Sequence, residues 1–270
     1  MKFWESRNPQ HDHATAQANL GDFLPVSMTP LSDTMGFRFS SLVELLEDLE
    51  RNRFRKASNA SKSVNPDQAI IVQWFNRHDA KIKRSQEEGV AFLSCLFPER
   101  RPDRCFHMQE TRLASVFGRA YSLGTARLNE LRAWKERTPA DFPNCLASIL
   151  AQTEMPTPQP GNEVTLEEIN DALDEIAANV KSSAPTLRAS ARFLDPVDAL
   201  SPILLRLRSV EAKWLVRMLL KSYYPVQIPE AVTMQQFHFL LEDLLKIQND
   251  FGAALDTLNQ AEIIQLPKRF

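Results

Sequence analysis

From Ser41 onward the apolar residues of this chain recur at helical spacing, and no segment alternates apolar and polar residues between hairpin turns as a strand would. Leu42, Leu45, Leu46 and Leu49 form an i, i+3, i+4, i+7 stripe behind Ser41-Leu42-Val43-Glu44, a capping-box sequence predicted to open the first helix. Asn65-Pro66 opens the next, with Ile70, Ile71, Trp74 and Phe75 as its buried face. A third runs from about Glu87 to Phe97, stopped by Pro98. A fourth spans about Gln109 to Leu123, with Gly124 suited to a left-handed position after its last turn, and Thr125 can cap the helix that turns Leu128, Leu131 and Trp134 inward. Thr165-Leu166-Glu167-Glu168 is a second capping box, leading Ile169, Leu173 and Ile176. Ser201-Pro202 reads as another start, Ser209 as the start or continuation of the stretch carrying Trp214 and Met218, and two amphipathic helices fill 230–260. The fold class is all-α, with irregular helix lengths and no fixed repeat.

Composition narrows function by exclusion. Only 7 glycines stand against 17 prolines, which disfavours phosphate-cradling loops and tight hairpins. Cys95, Cys105 and Cys145 lack CxxC spacing and read as reduced packing residues of a cytosolic or nuclear protein. No apolar run approaches the ~18 residues of a membrane span, and the N-terminus lacks the order of a secretion signal. Residues 1–36, broken by Pro9, Gly21, Pro25, Pro30 and Gly36, read as a disordered leader. The folded part is expected over 37–270, with a proline-rich loop near 155–161. There is no GxGxxG, Walker loop, HExxH or GxSxG, and no catalytic or metal-binding constellation.

The net charge is −2, so any affinity for a polyanion must come from uneven placement of charge. Basic residues cluster in 51–62, 77–84 and 206–221, whereas Glu163, Glu167, Glu168, Asp171, Asp174 and Glu175 crowd one helix start. Lys213, Arg217 and Lys221 fall at i, i+4, i+8, one stripe of a helix whose adjoining face carries Trp214 and Met218. Such a stripe can lie along phosphates, and it equally suits a solvated basic face. The absence of Glu at i±4 and the neighbouring Tyr223 and Tyr224 favour the first reading.

Several segments, in order, resemble the N-terminal DNA-binding domain of eukaryotic ATP-dependent DNA ligases, nearest to the ligase IV type. They are Phe39 to Glu50, Met108-Gln109-Glu110-Thr111-Arg112-Leu113-Ala114, Ala140-Asp141-Phe142, Val164 to Ala177, and Glu211-Ala212-Lys213-Trp214-Leu215-Val216-Arg217-Met218-Leu219-Leu220-Lys221. The resemblance runs from about residue 37 to the end. It implies a helical domain that binds duplex DNA at nicks or ends through sugar-phosphate contacts, with Lys213, Arg217, Lys221, Ser222, Tyr224 and Arg206 as candidate contacts. It further implies a nuclear monomer with roles in repair, end joining and recombination, and repair proteins as partners. In complete family members ATP and Mg serve a following catalytic domain, through a lysine in Lys-x-Asp-Gly. Asp-Gly occurs nowhere here, so this chain is expected to hold no cofactor and to form no lysyl-adenylate, whether as the N-terminal piece of a ligase or as a shortened relative. One departure stands out: after a signature that the stretch Lys213 to Lys221 resembles, family members soon carry a glycine, where this chain has Val226. The competing expectation is a helical protein-interaction scaffold that has lost DNA binding.

Overall fold

The computed structural model describes residues 36–58, 65–152 and 161–260; the predicted leader, almost all of the proline-rich loop and the last ten residues lie outside them. Within the described residues the chain forms thirteen α-helices and two single-turn 3-10 segments. They are α1 (Phe39–Ser58), α2 (Pro66–Ile82), α3 (Gln86–Leu96), α4 (Glu110–Ala120), α5 (Thr125–Arg132), α6 (Phe142–Ala151), α7 (Leu166–Ala178), α8 (Pro185–Arg188), α9 (Pro196–Leu204), α10 (Ser209–Leu219), α11 (Glu230–Phe237), α12 (Leu241–Gln248) and α13 (Phe251–Leu258). The only extended pairing among them is a single antiparallel bridge between Arg38 and Thr165, where Leu166 N–H donates to the Phe37 carbonyl at 2.8 Å. The all-α expectation holds.

Local chemistry explains most helix starts. Asn65 accepts from the Asp67 N–H ahead of Pro66, and Ser85 accepts from Glu88 N–H. Thr165 and Glu168 form the reciprocal capping box read from the sequence. The other predicted box does not form. α1 begins at Phe39, two residues before Ser41, because Phe39 N–H donates to the Val164 carbonyl (2.9 Å) and Phe39 is fully buried. Tertiary contact sets this start ahead of the local motif. α9 is also entered early: Asp195 caps it, and Pro202 sits inside rather than at its first turn. After α4, Ser122 takes the left-handed position at φ 50°, with Leu123 N–H returning to the Gly118 carbonyl (2.9 Å). Gly124 is extended instead, and precedes Thr125, the first residue of α5.

The core is continuous. Trp74 stacks on Phe92 (5.4 Å between centroids), and Phe92 on Phe237 (6.1 Å), joining α2, α3 and α11. Gly89 in α3 permits close approach there, since a Cβ would stand 2.9 Å from Leu255 of α13. α10 lies deepest: it packs chiefly on α6 and also on α1, and every residue from Glu211 to Leu219 is buried. No helix among the described residues is long and apolar enough to cross a membrane.

Candidate nucleic-acid interface

A helix buried on all sides cannot keep cations on a solvent face, and α10 resolves this with ion pairs from other elements. The Lys213 ammonium contacts the carboxylates of Glu47 and Glu50 on α1, the latter at 2.8 Å. Trp214 Nε1 donates to the same Glu47 at 2.7 Å. Arg217 pairs with Asp141, the residue before α6, at 2.8 Å, reaches Glu50 at 3.5 Å, and donates to the Tyr224 carbonyl. Both cations also lie near the Trp214 ring, 4.6 Å for Lys213 and 5.3 Å for Arg217 from its centroid. Exposure is 5% for Lys213 and 2% for Arg217, so each has lost hydration worth about several kcal/mol, which its ion pairs offset. Two cations thus face three carboxylates, an arrangement that holds α1 and α6 to α10 and offers no positive field to a phosphate.

The exposed basic stripe expected at Lys213, Arg217 and Lys221 is therefore corrected on two counts. The missing partners stand on α1 and before α6, beyond any i±4 search. The stripe is also interrupted, because the helix ends at Leu219 and Lys221 turns left-handed (φ 52°). Ser222 N–H then donates to the Arg217 carbonyl (3.0 Å) and Lys221 N–H to Met218 (2.9 Å), the paired bonds of a Schellman end. Lys221 consequently points elsewhere: its ammonium donates to the Arg101 carbonyl at 2.5 Å and sits 5.8 Å from the Phe106 ring centroid. Burial pulls this ammonium below the usual lysine range. Arg104 and Arg101 push the same way, against Cys105 and Asp103.

Arg206 is likewise committed within the fold. It grips the Glu168 carboxylate and donates to the carbonyls of Asn162 (3.1 Å) and Glu163 (2.9 Å), tying the end of α9 to the approach to α7. Ser222 and Tyr224 are exposed, Tyr224 at 76% with the Arg53 guanidinium 5.9 Å from its ring centroid. Val226, in place of the glycine, is buried, and its N–H donates to the Tyr223 carbonyl (2.8 Å). At the next helix start, Glu230 occupies the first turn of α11 and is ion-paired to Arg100. Glu230 thus adds a carboxylate to the first turn, whose N–H groups would otherwise suit a phosphate.

Two cavities meet at Leu220, beyond the end of α10. One, about 520 Å³, contains Arg53, Arg217, Ser222 and Tyr224, but also the carboxylates of Glu50, Glu110 and Asp141. The other, about 690 Å³, is lined by Arg104, Arg112 and Lys221 with His107, Gln109, Thr111 and Ser115, and by no carboxylate. Arg112 is exposed and donates to the His107 carbonyl at 3.4 Å. In the sequence Arg112 stands alone between Thr111 and Leu113; the fold brings Arg104 and, through its left-handed turn, Lys221 to the same cavity.

The family described as DNA ligase N terminus matches residues 38–235. The chain belongs to that family. Proteins similar to this DNA ligase N-terminal region include a DNA ligase 4 of Coprinopsis cinerea, 26% identical over 224 residues, covering 78% of this chain and 19% of that protein. A putative DNA ligase 4 of Oryza sativa subsp. japonica is 27% identical over 229 residues, 82% of this chain and 16% of its own length. The DNA ligase 4 of Homo sapiens is 22% identical over 237 residues, 83% of this chain and 24% of its own. The chain therefore spans about a quarter or less of the relatives it matches. The ordered segments from Phe39 to Lys221 lie within the matched stretch, so the ligase N-terminal signature around Trp214 belongs to the helix that anchors this fold.

Proposed function

We propose that this chain binds duplex DNA at nicks or ends without sequence preference, as the DNA-binding region of a ligase IV-like protein that acts in nuclear DNA repair. The observation that carries the reading is the ligase N-terminal match across residues 38–235, joined to an opening at the end of α10 lined by Arg112 and Lys221 and by no carboxylate. Arg112 and Arg53, with the Ser222 and Tyr224 hydroxyls, are exposed groups able to meet phosphate and sugar edges there. Catalysis would belong to other parts of such a protein, since Lys-x-Asp-Gly is absent here.

Neutralisation of Lys213 and Arg217 inside the fold, and Glu230 at the start of α11, favour the second reading, a helical interaction scaffold without DNA affinity. Fluorescence anisotropy of the chain with nicked, intact and single-stranded oligonucleotides over a salt series separates the two. The first reading predicts duplex binding whose log K falls linearly with log salt, strongest on the nicked substrate. Absence of binding to all three at about 50 mM salt would leave the scaffold.

A further inference from the structure

Glu230 guards the start of α11, the α10 cations are internally paired, and the Tyr224 cavity holds three carboxylates. The remaining large cavity has the opposite character. Arg104, at 2% exposure, forms its buried wall, held in place by Asp174 and Asn170. Arg112 stands exposed at its rim, and Lys221 reaches it from the left-handed turn with a main-chain carbonyl as its hydrogen-bond acceptor. The first turn of α4 opens on the same space: Gln109 places no side chain over the N–H groups behind it, and Thr111 lines the wall. Glu110, the one acid of that turn, lines the other cavity instead. Two cations without a carboxylate partner, Arg112 and Lys221, free donors and no lining carboxylate describe a receptor for a tetrahedral oxyanion, with Arg104, itself paired to Asp174, as its wall.

We propose that the cavity bounded by Arg104, Arg112 and Lys221 is a phosphate-binding site, and that it takes a backbone phosphate of duplex DNA. The site follows from the cavity's charge and shape; the identity of its natural ligand rests on the DNA-binding reading above. It moves the phosphate anchor away from the face of α10 and the start of α11 to a place that no linear motif marks.

Two probes test it on the same chain: inorganic phosphate followed by amide NMR, and a nicked duplex followed by anisotropy. Arg112→Gln is the test variant, and Arg132→Gln, exposed on α5 outside the cavity, is the control. Phosphate should shift the Glu110, Thr111 and Arg112 amides saturably, and Arg112→Gln should weaken that response about tenfold. Duplex affinity should fall about three- to tenfold in Arg112→Gln, with a salt slope shallower by about one, and should hold in Arg132→Gln. Phosphate shifts in a chain that binds no DNA would keep the site and remove the DNA reading. Duplex binding with no phosphate shifts at those amides, and equal affinity in Arg112→Gln, would overturn the site while the DNA reading stands. Equal losses in Arg112→Gln and Arg132→Gln would overturn it as diffuse surface charge.

Discussion

The two cavities that meet at Leu220 are built from the same residue types with opposite outcomes. In one, Arg217 of α10 is enclosed by Glu50 and Asp141; in the other, Arg112 and Lys221 meet no lining carboxylate. The difference lies in helix geometry. Lys213 and Arg217 belong to a helix buried all round, so burial demands counter-charges, and α1 and the approach to α6 supply them. Lys221 falls two residues past the end of that helix, where a left-handed backbone redirects it. A basic residue in a signature motif is therefore as readily a strut of the fold as a contact for a ligand. Position relative to the helix end decides which.

The sharpest way to break this contrast is to remove Arg217. Arg217→Ala leaves Asp141 and Glu50 without their shared partner and should cost about 3–5 kcal/mol in urea unfolding. Arg112→Ala, on the exposed side, should stay within about 0.5 kcal/mol of the parent. Equal costs would erase the distinction between strut and contact.

Arg206 gives an intermediate case with a pH signature. Although partial burial works the other way, the Arg206 bonds and the Thr165 N–H hold the Glu168 carboxyl below the usual glutamate range. A depressed carboxyl stabilises the fold above its ordinary titration range and loses that contribution as pH falls through the lowered value. Arg206→Ala should therefore cost about 1 kcal/mol at neutral pH, after allowing for partial exposure, and progressively less in acid. A cost independent of pH would place the value of Arg206 in its two carbonyl contacts instead.

Lys221→Gly should also have a small effect on stability. Relief of the left-handed strain and loss of the Arg101 carbonyl bond oppose each other, so unfolding should change by less than about 1 kcal/mol. Nicked-duplex affinity should nevertheless fall several-fold. Unchanged affinity in the variant would take Lys221 out of the interface.

Much of the helical architecture was legible from residues that act locally. Asn65, Ser85 and Thr165 place their helices by accepting backbone N–H groups within three residues, and periodic leucines mark the buried faces. What escaped is what depends on distant partners. Ser41 loses its cap role because Phe39 is fixed by Val164, and Ser122 rather than Gly124 takes the turn after α4. The stretch 230–260 splits into three helices rather than two, since Asn249 turns left-handed between α12 and α13. At the candidate site, the openness of Ser222 and Tyr224 was foreseeable from the end of a helical pattern. The partners of Lys213 were not, because Glu47 and Glu50 lie more than 160 positions away in the chain.

The paired cations of α10 hold α1 and the approach to α6 to that helix. A double-mutant cycle on Arg217 and Asp141, Arg217→Met with Asp141→Asn, read by urea unfolding, tests it most directly. The double variant should recover part of the single losses, with a coupling energy of about 1–3 kcal/mol. Strict additivity, with each single substitution near the stability of the parent, would contradict it and return Arg217 to the DNA-facing role.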